Sequence, residues 1–159
     1  MIKQTGLFEM KTLKGDSIKR ASTDDFEAIM VVWEASVRAT HHFLKEEDIL
    51  YYKPLIRNEY LYTVELFCFR DEHDKIIGFL GNSKDKIEML FIHPDCRGKG
   101  VGRALLHYAT DILGIHKVDV NEQNEQALGF YKRFGFNVVG RMELDGMGKP
   151  YPILNLEQK

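Results

Sequence analysis

The chain has 159 residues, of which 44% are hydrophobic and 29% are charged, and this balance indicates one compact domain with a substantial core. The net charge of −2 gives no general attraction to nucleic acid or to a membrane surface, so we expect neither as a partner. Two cysteines, Cys68 and Cys96, are too few for a disulfide framework, and no apolar run reaches transmembrane length. Since Met1-Ile-Lys also lacks the apolar core of a signal peptide, we expect a cytoplasmic protein.

The first half of the chain alternates between strand and helix patterns. Residues 1–16 show no clear pattern and are predicted to be an N-terminal extension, whereas residues 17–159 are predicted to form a single domain. A first strand is predicted over residues 17–21, and a helix is predicted to follow, with Thr23 as its cap. A second helix is predicted over residues 43–57, with an interruption near Pro54 because proline lacks the amide hydrogen.

The second half contains most of the predicted strands. Residues 61–69, 76–81 and 87–92 are rich in β-branched and aromatic side chains, and each segment is predicted to be a strand. A helix is predicted to begin at Val101, and the segment from Val120 to Phe134 is predicted to continue from a strand into a further helix. The last strands are predicted over residues 137–144 and 152–156. This order predicts an α/β domain around a mixed sheet.

A basic, glycine-rich loop separates the predicted central strand from the helix that begins at Val101. Gly98, Gly100 and Gly102 stand at alternate positions, with Arg97, Lys99 and Arg103 among them. Unpaired amides at a helix start, together with close backbone approach at glycine, favour a bound phosphate, although a plain glycine turn remains open. The spacing does not match a P-loop. It also lacks the third glycine of a dinucleotide-binding fingerprint. That fingerprint remains an alternative only because Asp119, about twenty residues further on, stands where an acidic residue contacts the ribose.

The pattern Arg97-x-x-Gly100-x-Gly102, after a strand and before an amphipathic helix, resembles the acetyl-CoA signature of the GNAT N-acetyltransferase superfamily. Residues 120–136 resemble the strand–helix segment that completes the cofactor site in that family. Residues 121–131 and 148–152 resemble a bacterial branch that includes protein-lysine acetyltransferases. The resemblance implies a GNAT fold with six to seven strands and about four helices. It also implies acetyl-CoA as cofactor, coenzyme A as product, no metal, and direct acetyl transfer to a primary amine.

The resemblance assigns cofactor contacts to three parts of the chain: the end of the central strand, the glycine loop and the last helix. These residues are Leu90, Phe91, Ile92, Arg97, Gly98, Lys99, Gly100, Val101, Gly102, Arg103, Asn121, Asn124 and Tyr131. An asparagine before a helix is by default a helix cap, so Asn121 and Asn124 have that alternative role, and Asn124 is the favoured cofactor contact.

The resemblance also assigns the chemistry. The backbone amides of residues 90–92 are expected to bind the oxyanion, and Tyr131 is expected to protonate the departing thiolate, since a phenol is protonated at neutral pH. From pattern alone Tyr131 fits a buried helix face equally well. Glu88, on the central strand, is the candidate base, with a solvated carboxylate as the alternative.

The acceptor side is the least determined part of the sequence. His41 is a candidate for substrate binding or proton transfer, and Tyr151 is a candidate for lining the acceptor mouth. The expected acceptor is a small-molecule or protein-lysine amine, and the expected state is a monomer or homodimer. Cys96 beside Arg97 has no neighbouring His/Asp pair, so direct transfer is favoured over an acyl-enzyme. The alternatives are a non-catalytic acetyl-CoA-binding module and a Rossmann-type oxidoreductase.

Overall fold

A computed structural model describes residues 17–159; the predicted N-terminal extension, residues 1–16, lies outside the described residues. Seven strands form one mixed sheet in the order β1-β2-β3-β4-β5-β7-β6. The strands are β1 (Ile18–Arg20), β2 (Glu65–Arg70), β3 (Ile76–Asn82), β4 (Ile87–Ile92), β5 (Lys117–Asn121), β6 (Phe136–Met142) and β7 (Ile153–Gln158). The helices are α1 (Phe26–Thr40), α2 (Glu46–Asn58), α3 (Val101–His107) and α4 (Glu125–Arg133). The final turn after α3, Tyr108–Ile112, is a π-helix. The predicted mixed sheet with about four helices is confirmed.

The sheet is covered on both faces, and the alternation along β2 shows how. Leu66 and Cys68 belong to a core cluster with Ile29 and Trp33 of α1. Phe67 and Phe69 point the other way, into a second cluster built on α3 and α4. Successive strand side chains face opposite sides, so a strand between two helical layers is apolar at nearly every position. Strand β3 shows the same property, since all seven of its residues are buried.

Helix α3 packs unusually close to β3. A Cβ atom at Gly78 of β3 would lie 3.0 Å from Cγ1 of Val101 and 3.2 Å from Cδ1 of Leu105. Glycine therefore lets the helix lie this close, and any larger residue would force its neighbours to shift by a few tenths of an ångström. The contact fixes the first turn of α3 against the middle of the sheet.

Several element boundaries shift by a few residues from the sequence-based prediction, and two differences have a clear structural cause. Helix α2 continues through Pro54 without interruption. The carbonyl that loses its amide partner there belongs to the exposed residue Leu50, and water can satisfy it. Strand β2 begins at Glu65 rather than near Leu61, because residues Tyr60–Tyr62 form a 3₁₀ turn that buries Leu61.

Candidate active site

Strands β4 and β5 are parallel neighbours that touch at one end only. Their register contains a single pair, Ile87 with Val118, so the two strands diverge from Glu88 onward. The other edge of β4 pairs with β3, and the amide of His93 donates to the carbonyl of Ile77 at 2.8 Å. Amides alternate along an antiparallel strand, so the amide of Phe91 faces β3, while those of Leu90 and Ile92 face the gap. The gap therefore exposes two hydrogen-bond donors, the amides of the alternate residues Leu90 and Ile92, in the middle of the sheet.

A cavity of about 650 Å³ runs from this gap along the glycine loop, and we call it the glycine-loop cavity. Gly98 and Gly100 have φ angles of +75° and +85°, which side chains other than glycine rarely adopt. Gly100 is the N-cap of α3, so the amides of the first turn, residues 101–103, have no partner within the helix. A Cβ at Gly98 would meet no atom within 4 Å, which leaves the loop backbone open to a ligand.

Four cations accompany the glycine-loop cavity. Arg97, Arg103 and Arg133 line it, and Lys99 lies in the same loop. None of these four side chains forms an ion pair with a carboxylate of residues 17–159, whereas Arg38, Arg70 and Arg141 do. Amides at a helix start together with unpaired cations are suited to bind phosphate groups.

Tyr131 of α4 lies where the cavity reaches the gap. It is 5% exposed and packs edge-on against the rings of Phe130 and Phe136. Burial raises the pKa of the Tyr131 hydroxyl, so the group stays protonated at neutral pH. The two roles predicted for Tyr131 are compatible, because its ring belongs to the core cluster while the residue also lines the cavity.

A second cavity, of about 470 Å³, lies on the other side of the gap, and we call it the Glu88 cavity. Asp119 lines it, but its carboxylate is engaged by Nζ of Lys86 at 3.0 Å and by Nδ2 of Asn155 at 2.8 Å. Glu88 receives one hydrogen bond, from the hydroxyl of Tyr60 at 3.4 Å. Glu88 is thus the carboxylate of this cavity that forms no ion pair within residues 17–159, although the charge of Lys86 acts on it from a greater distance. The position of Asp119, in this cavity and in an ion pair, argues against a ribose contact and a Rossmann-type site.

The two cavities meet at a shared set of residues. His41, Leu90, Phe91, Asn124, Ala127 and Tyr131 line both. We call this set the junction. A group bound along the glycine loop and a group bound near Glu88 can therefore come into contact there, between the amides of β4 and the hydroxyl of Tyr131.

The two asparagines before α4, Asn121 and Asn124, lie in different parts of the site. Asn124 is the N-cap of α4, and its Oδ1 accepts from the amide of Ala127 at 3.2 Å. The cap leaves the Nδ2 group of Asn124 as a donor at the junction. Asn121 lines the Glu88 cavity and not the glycine-loop cavity, so it lies on the opposite side from the loop.

Tyr151 lines neither cavity but anchors the loop between β6 and β7. Its hydroxyl donates to Asp48 of α2, and Nζ of Lys149 lies 3.3 Å from the same carboxylate. In the opposite direction, the Tyr52 hydroxyl of α2 donates to Asp145 of the loop. The hydrogen bond from Tyr151 lowers the pKa of Asp48. Leu144 and Gly146 of this loop line the Glu88 cavity, so these bonds fix one of its walls.

Several residues that line the two cavities were not predicted from the sequence to be site residues. They are Ser36 and Thr40 at the end of α1, Tyr60 after α2, Lys86 on the turn into β4, and Gln126, Phe130, Arg133 and Phe134 on α4. The spacing of Gln126, Phe130 and Arg133 places them on the side of α4 that includes Ala127, which was a detectable signal. Ser36 and Thr40 reach the site only through the packing of α1 on the sheet. Within residues 17–159 there is no cluster of three or more metal-ligating side chains and no helix long and apolar enough to cross a membrane.

Comparisons with known proteins identify the class of enzyme that has this arrangement. Residues 63–138 match the family model described as an acetyltransferase (GNAT) domain. The chain is 44% identical over 140 residues to a protein of Escherichia coli, covering 88% of this chain and 95% of that protein. The chain belongs to the GNAT family and is an N-acetyltransferase, with acetyl-CoA as its acetyl donor.

The Escherichia coli relative is peptidyl-lysine N-acetyltransferase YjaB. The enzyme of the same name from Salmonella typhimurium is 39% identical over 88% of this chain and 96% of its own length. The solution structure of apo YjaB from Escherichia coli matches with a TM-score of 0.81 at 43% identity, over 89% of this chain and 95% of that one. The fold is shared with PaiA N-acetyltransferase from Thermoplasma acidophilum, solved with coenzyme A, at a TM-score of 0.71 and 20% identity, over 89% of this chain and 98% of that one.

The glycine-loop cavity fits the coenzyme on its own chemistry. Its open loop backbone and unpaired cations suit the phosphates, and its walls of Ile92, Val101 and Phe130 suit an uncharged arm. The cavity leads from the loop past Ile92 to the junction at Leu90, so the gap-facing amides of these two residues lie along it.

Proposed function

We propose that this enzyme transfers an acetyl group directly to the primary amine of a protein lysine side chain. Acetyl-CoA supplies the acetyl group as an activated thioester. Two relatives, at 44% and 39% identity, carry the name peptidyl-lysine N-acetyltransferase. The observation that carries the proposal is the junction, where the Glu88 cavity and the glycine-loop cavity meet beside Tyr131 and the free edge of β4.

Within residues 90–92, alternation along β4 narrows the oxyanion donors to Leu90 and Ile92. Amides on alternate residues of a strand lie about 7 Å apart, so a single oxygen accepts from only one of them. The amide of Leu90, a residue that lines both cavities, donates to the acetyl carbonyl oxygen as it gains negative charge, and that of Ile92 faces the arm of the coenzyme. Phe91 contributes through its side chain, which lines both cavities. The amides belong to a strand that is paired on its other edge, so they are held in place before the substrate arrives.

Tyr131 and Glu88 divide the proton transfers. Tyr131 donates its hydroxyl proton to the sulfur as the carbon–sulfur bond breaks, and burial keeps that proton in place beforehand. Glu88 accepts the proton that the amine nitrogen loses as the carbon–nitrogen bond forms, directly or through a water molecule. Its carboxylate also attracts a lysine ammonium into the cavity, and the ammonium gives its first proton to solvent, so that a neutral amine attacks.

The glycine-loop residues hold the coenzyme. Arg97, Lys99 and Arg103 bind phosphate oxygens together with the amides of Gly98, Gly100, Val101 and Gly102. Nδ2 of Asn124 donates to the uncharged arm, and Asn121 lies on the acceptor side. Tyr151 positions the acceptor mouth through Asp48.

The state of the cysteines supports a proposal for the cellular setting. We propose a cytoplasmic enzyme, because Cys68 and Cys96 are both free thiols, and Cys68 is buried. We infer that it acts as a monomer or homodimer.

The decisive experiment measures release of coenzyme A thiol from acetyl-CoA with lysine peptides and small amines. We expect amine-dependent release, and we expect Glu88→Gln to lower kcat by about a hundredfold, in the range of general base catalysis. Glu72→Gln is the matched control, because Glu72 is exposed on the β2–β3 turn. If the protein binds acetyl-CoA but no amine causes release of coenzyme A, the proposed activity is refuted and the protein is a non-catalytic binding module.

A further inference from the structure

His41 is the imidazole of the junction, and its environment is built by the end of α1. The residue caps α1 at its C-terminus, and its amide donates to the carbonyl of Val37 at 2.8 Å. The side chain is 8% exposed, and its ring lies 5.2 Å from the ring of Phe43 and 6.2 Å from that of Phe91. Only one further titratable side chain, Tyr131, lines both cavities among the described residues.

A count of hydrogens determines which ring nitrogen of His41 carries its proton. Oγ1 of Thr40 lies 2.8 Å from the carbonyl oxygen of Ser36 and 2.7 Å from Nδ1 of His41. A threonine hydroxyl has one hydrogen, and a carbonyl oxygen can only accept. The hydroxyl hydrogen is therefore directed to Ser36. Nδ1 of His41 must then supply the hydrogen of the other contact, which leaves Nε2 as an unprotonated acceptor.

The Nε2 atom is open to the junction. It has no hydrogen-bond partner among residues 17–159, where the one fully enclosed and unpartnered side-chain polar atom is Oδ1 of Asn82. Nε2 is therefore not fully enclosed, and the residue that carries it lines both cavities. Burial, with a smaller contribution from His42, lowers the pKa of His41 to about 4, so the ring stays neutral and does not repel an incoming ammonium.

We propose that Thr40 is a positioning residue that holds His41 in its Nδ1–H tautomer, so that Nε2 accepts a hydrogen bond from the attacking amine and orients its lone pair toward the acetyl carbonyl. This inference rests on the proposed amine acetylation. A neutral primary amine has two N–H hydrogens. One is lost to Glu88 as the carbon–nitrogen bond forms; the other, bonded to Nε2, is the N–H that remains in the product amide.

The first test observes the tautomer without any substrate. In the full chain with ¹⁵N-labelled histidine rings, long-range ¹H–¹⁵N spectra at neutral pH should show His41 protonated on Nδ1 and bare on Nε2. Thr40→Ser, which keeps the hydroxyl, should preserve this state, and Thr40→Val should shift the population toward the Nε2–H form. A predominantly Nε2–H ring in the unaltered chain overturns the proposal.

The second test measures turnover with a lysine peptide. Thr40→Val should lower kcat by about tenfold, as expected for one lost hydrogen bond, with unchanged affinity for acetyl-CoA. Thr40→Ser should stay within about twofold of the unaltered enzyme. Unchanged kcat in Thr40→Val contradicts the proposal.

A pair of variants at His41 provides a test that does not depend on Thr40→Val folding. The longer side chain of His41→Gln can place an acceptor oxygen near the position of Nε2, whereas that of His41→Asn ends near the position of Nδ1. We expect His41→Gln to retain several times the kcat of His41→Asn, and equal activities overturn the proposal. If the unaltered chain acetylates no amine, the proposed function fails, while the NMR spectrum still decides the Thr40–His41 arrangement.

Discussion

The two cavities of this enzyme are assembled in different ways. The glycine-loop cavity takes most of its lining from two continuous segments, the end of β4 with its loop and the helix α4. The Glu88 cavity combines α1, the turn after α2, β4, β5 and the β6–β7 loop. The first has main-chain amides and cations that form no ion pair within residues 17–159, and the second has the carboxylates of Glu88 and Asp119. The proposed coenzyme site is thus local in the chain, whereas the proposed amine site depends on the tertiary structure.

The largest expected effect is at the junction, where both cavities depend on Tyr131. Tyr131→Phe removes the proposed acid and keeps the ring that packs against Phe130 and Phe136. We expect kcat to fall by at least about a hundredfold, with unchanged affinity for acetyl-CoA. A thiol-release assay and a coenzyme titration measure the two quantities separately.

Tyr108→Phe is the matched control, since Tyr108 packs against Phe67 on the same side of the sheet. It should leave kcat unchanged. Full activity in Tyr131→Phe would remove the acid role and leave a purely structural tyrosine between two binding sites.

A smaller effect should separate the two cavities. Arg97→Ala and Lys99→Ala each remove a cation from the glycine loop, and we expect each to raise the Kd for coenzyme A by about tenfold. The KM for the amine should not change, because neither residue lines the Glu88 cavity. Calorimetry with coenzyme A at low and high salt measures the effect, which should diminish as ionic strength rises.

Lys19→Ala is the control for a general loss of positive charge, because Lys19 is exposed on the edge strand β1. If Lys19→Ala weakens coenzyme binding as much as the loop variants do, attraction by the overall field, rather than contact at the loop, explains the affinity.

The smallest expected effect lies on the acceptor side alone. Tyr151→Phe removes the hydrogen bond to Asp48 and loosens the β6–β7 loop that forms a wall of the Glu88 cavity. We expect the KM for a lysine peptide to rise roughly threefold, with the Kd for coenzyme A unchanged. Steady-state kinetics with the peptide as the varied substrate measure this change.

Tyr52→Phe, which removes the reciprocal bond to Asp145, should act in the same direction. A change in coenzyme affinity in either variant would show that the two cavities are not independent.

The fold was largely predictable from the sequence because its signals are local. Apolar strands such as β3, the glycine loop and the helical stripe of α4 are each visible within about ten residues. The N-cap of α4 at Asn124 was equally visible, since an asparagine before a helix is a local feature. These same segments supply most of the glycine-loop cavity, which explains why the loop residues Arg97 to Arg103 and the helix residues Asn124 and Tyr131 could be proposed from the sequence.

The acceptor side was harder to predict because its contacts join distant residues. The bond between Tyr60 and Glu88 spans 28 positions, and that between Tyr151 and Asp48 spans 103. No periodic pattern links such residues. The interruption predicted near Pro54 was wrong for a related reason, since the sequence does not show that Leu50, whose carbonyl loses its amide partner, is an exposed residue.

The close contact at Gly78 sets the distance between the start of α3 and the end of β4. Gly78 pairs with Ile92 on one side and contacts the first turn of α3 on the other, so it lies between the amides that we propose to bind the phosphates and the one that we propose to bind the oxyanion. The coenzyme that would span this distance has a fixed maximum length. We expect a methyl group at position 78 to press on the side chains of Val101 and Leu105 and to displace the start of α3 by a few tenths of an ångström, so that the thioester of a bound coenzyme stops short of the junction.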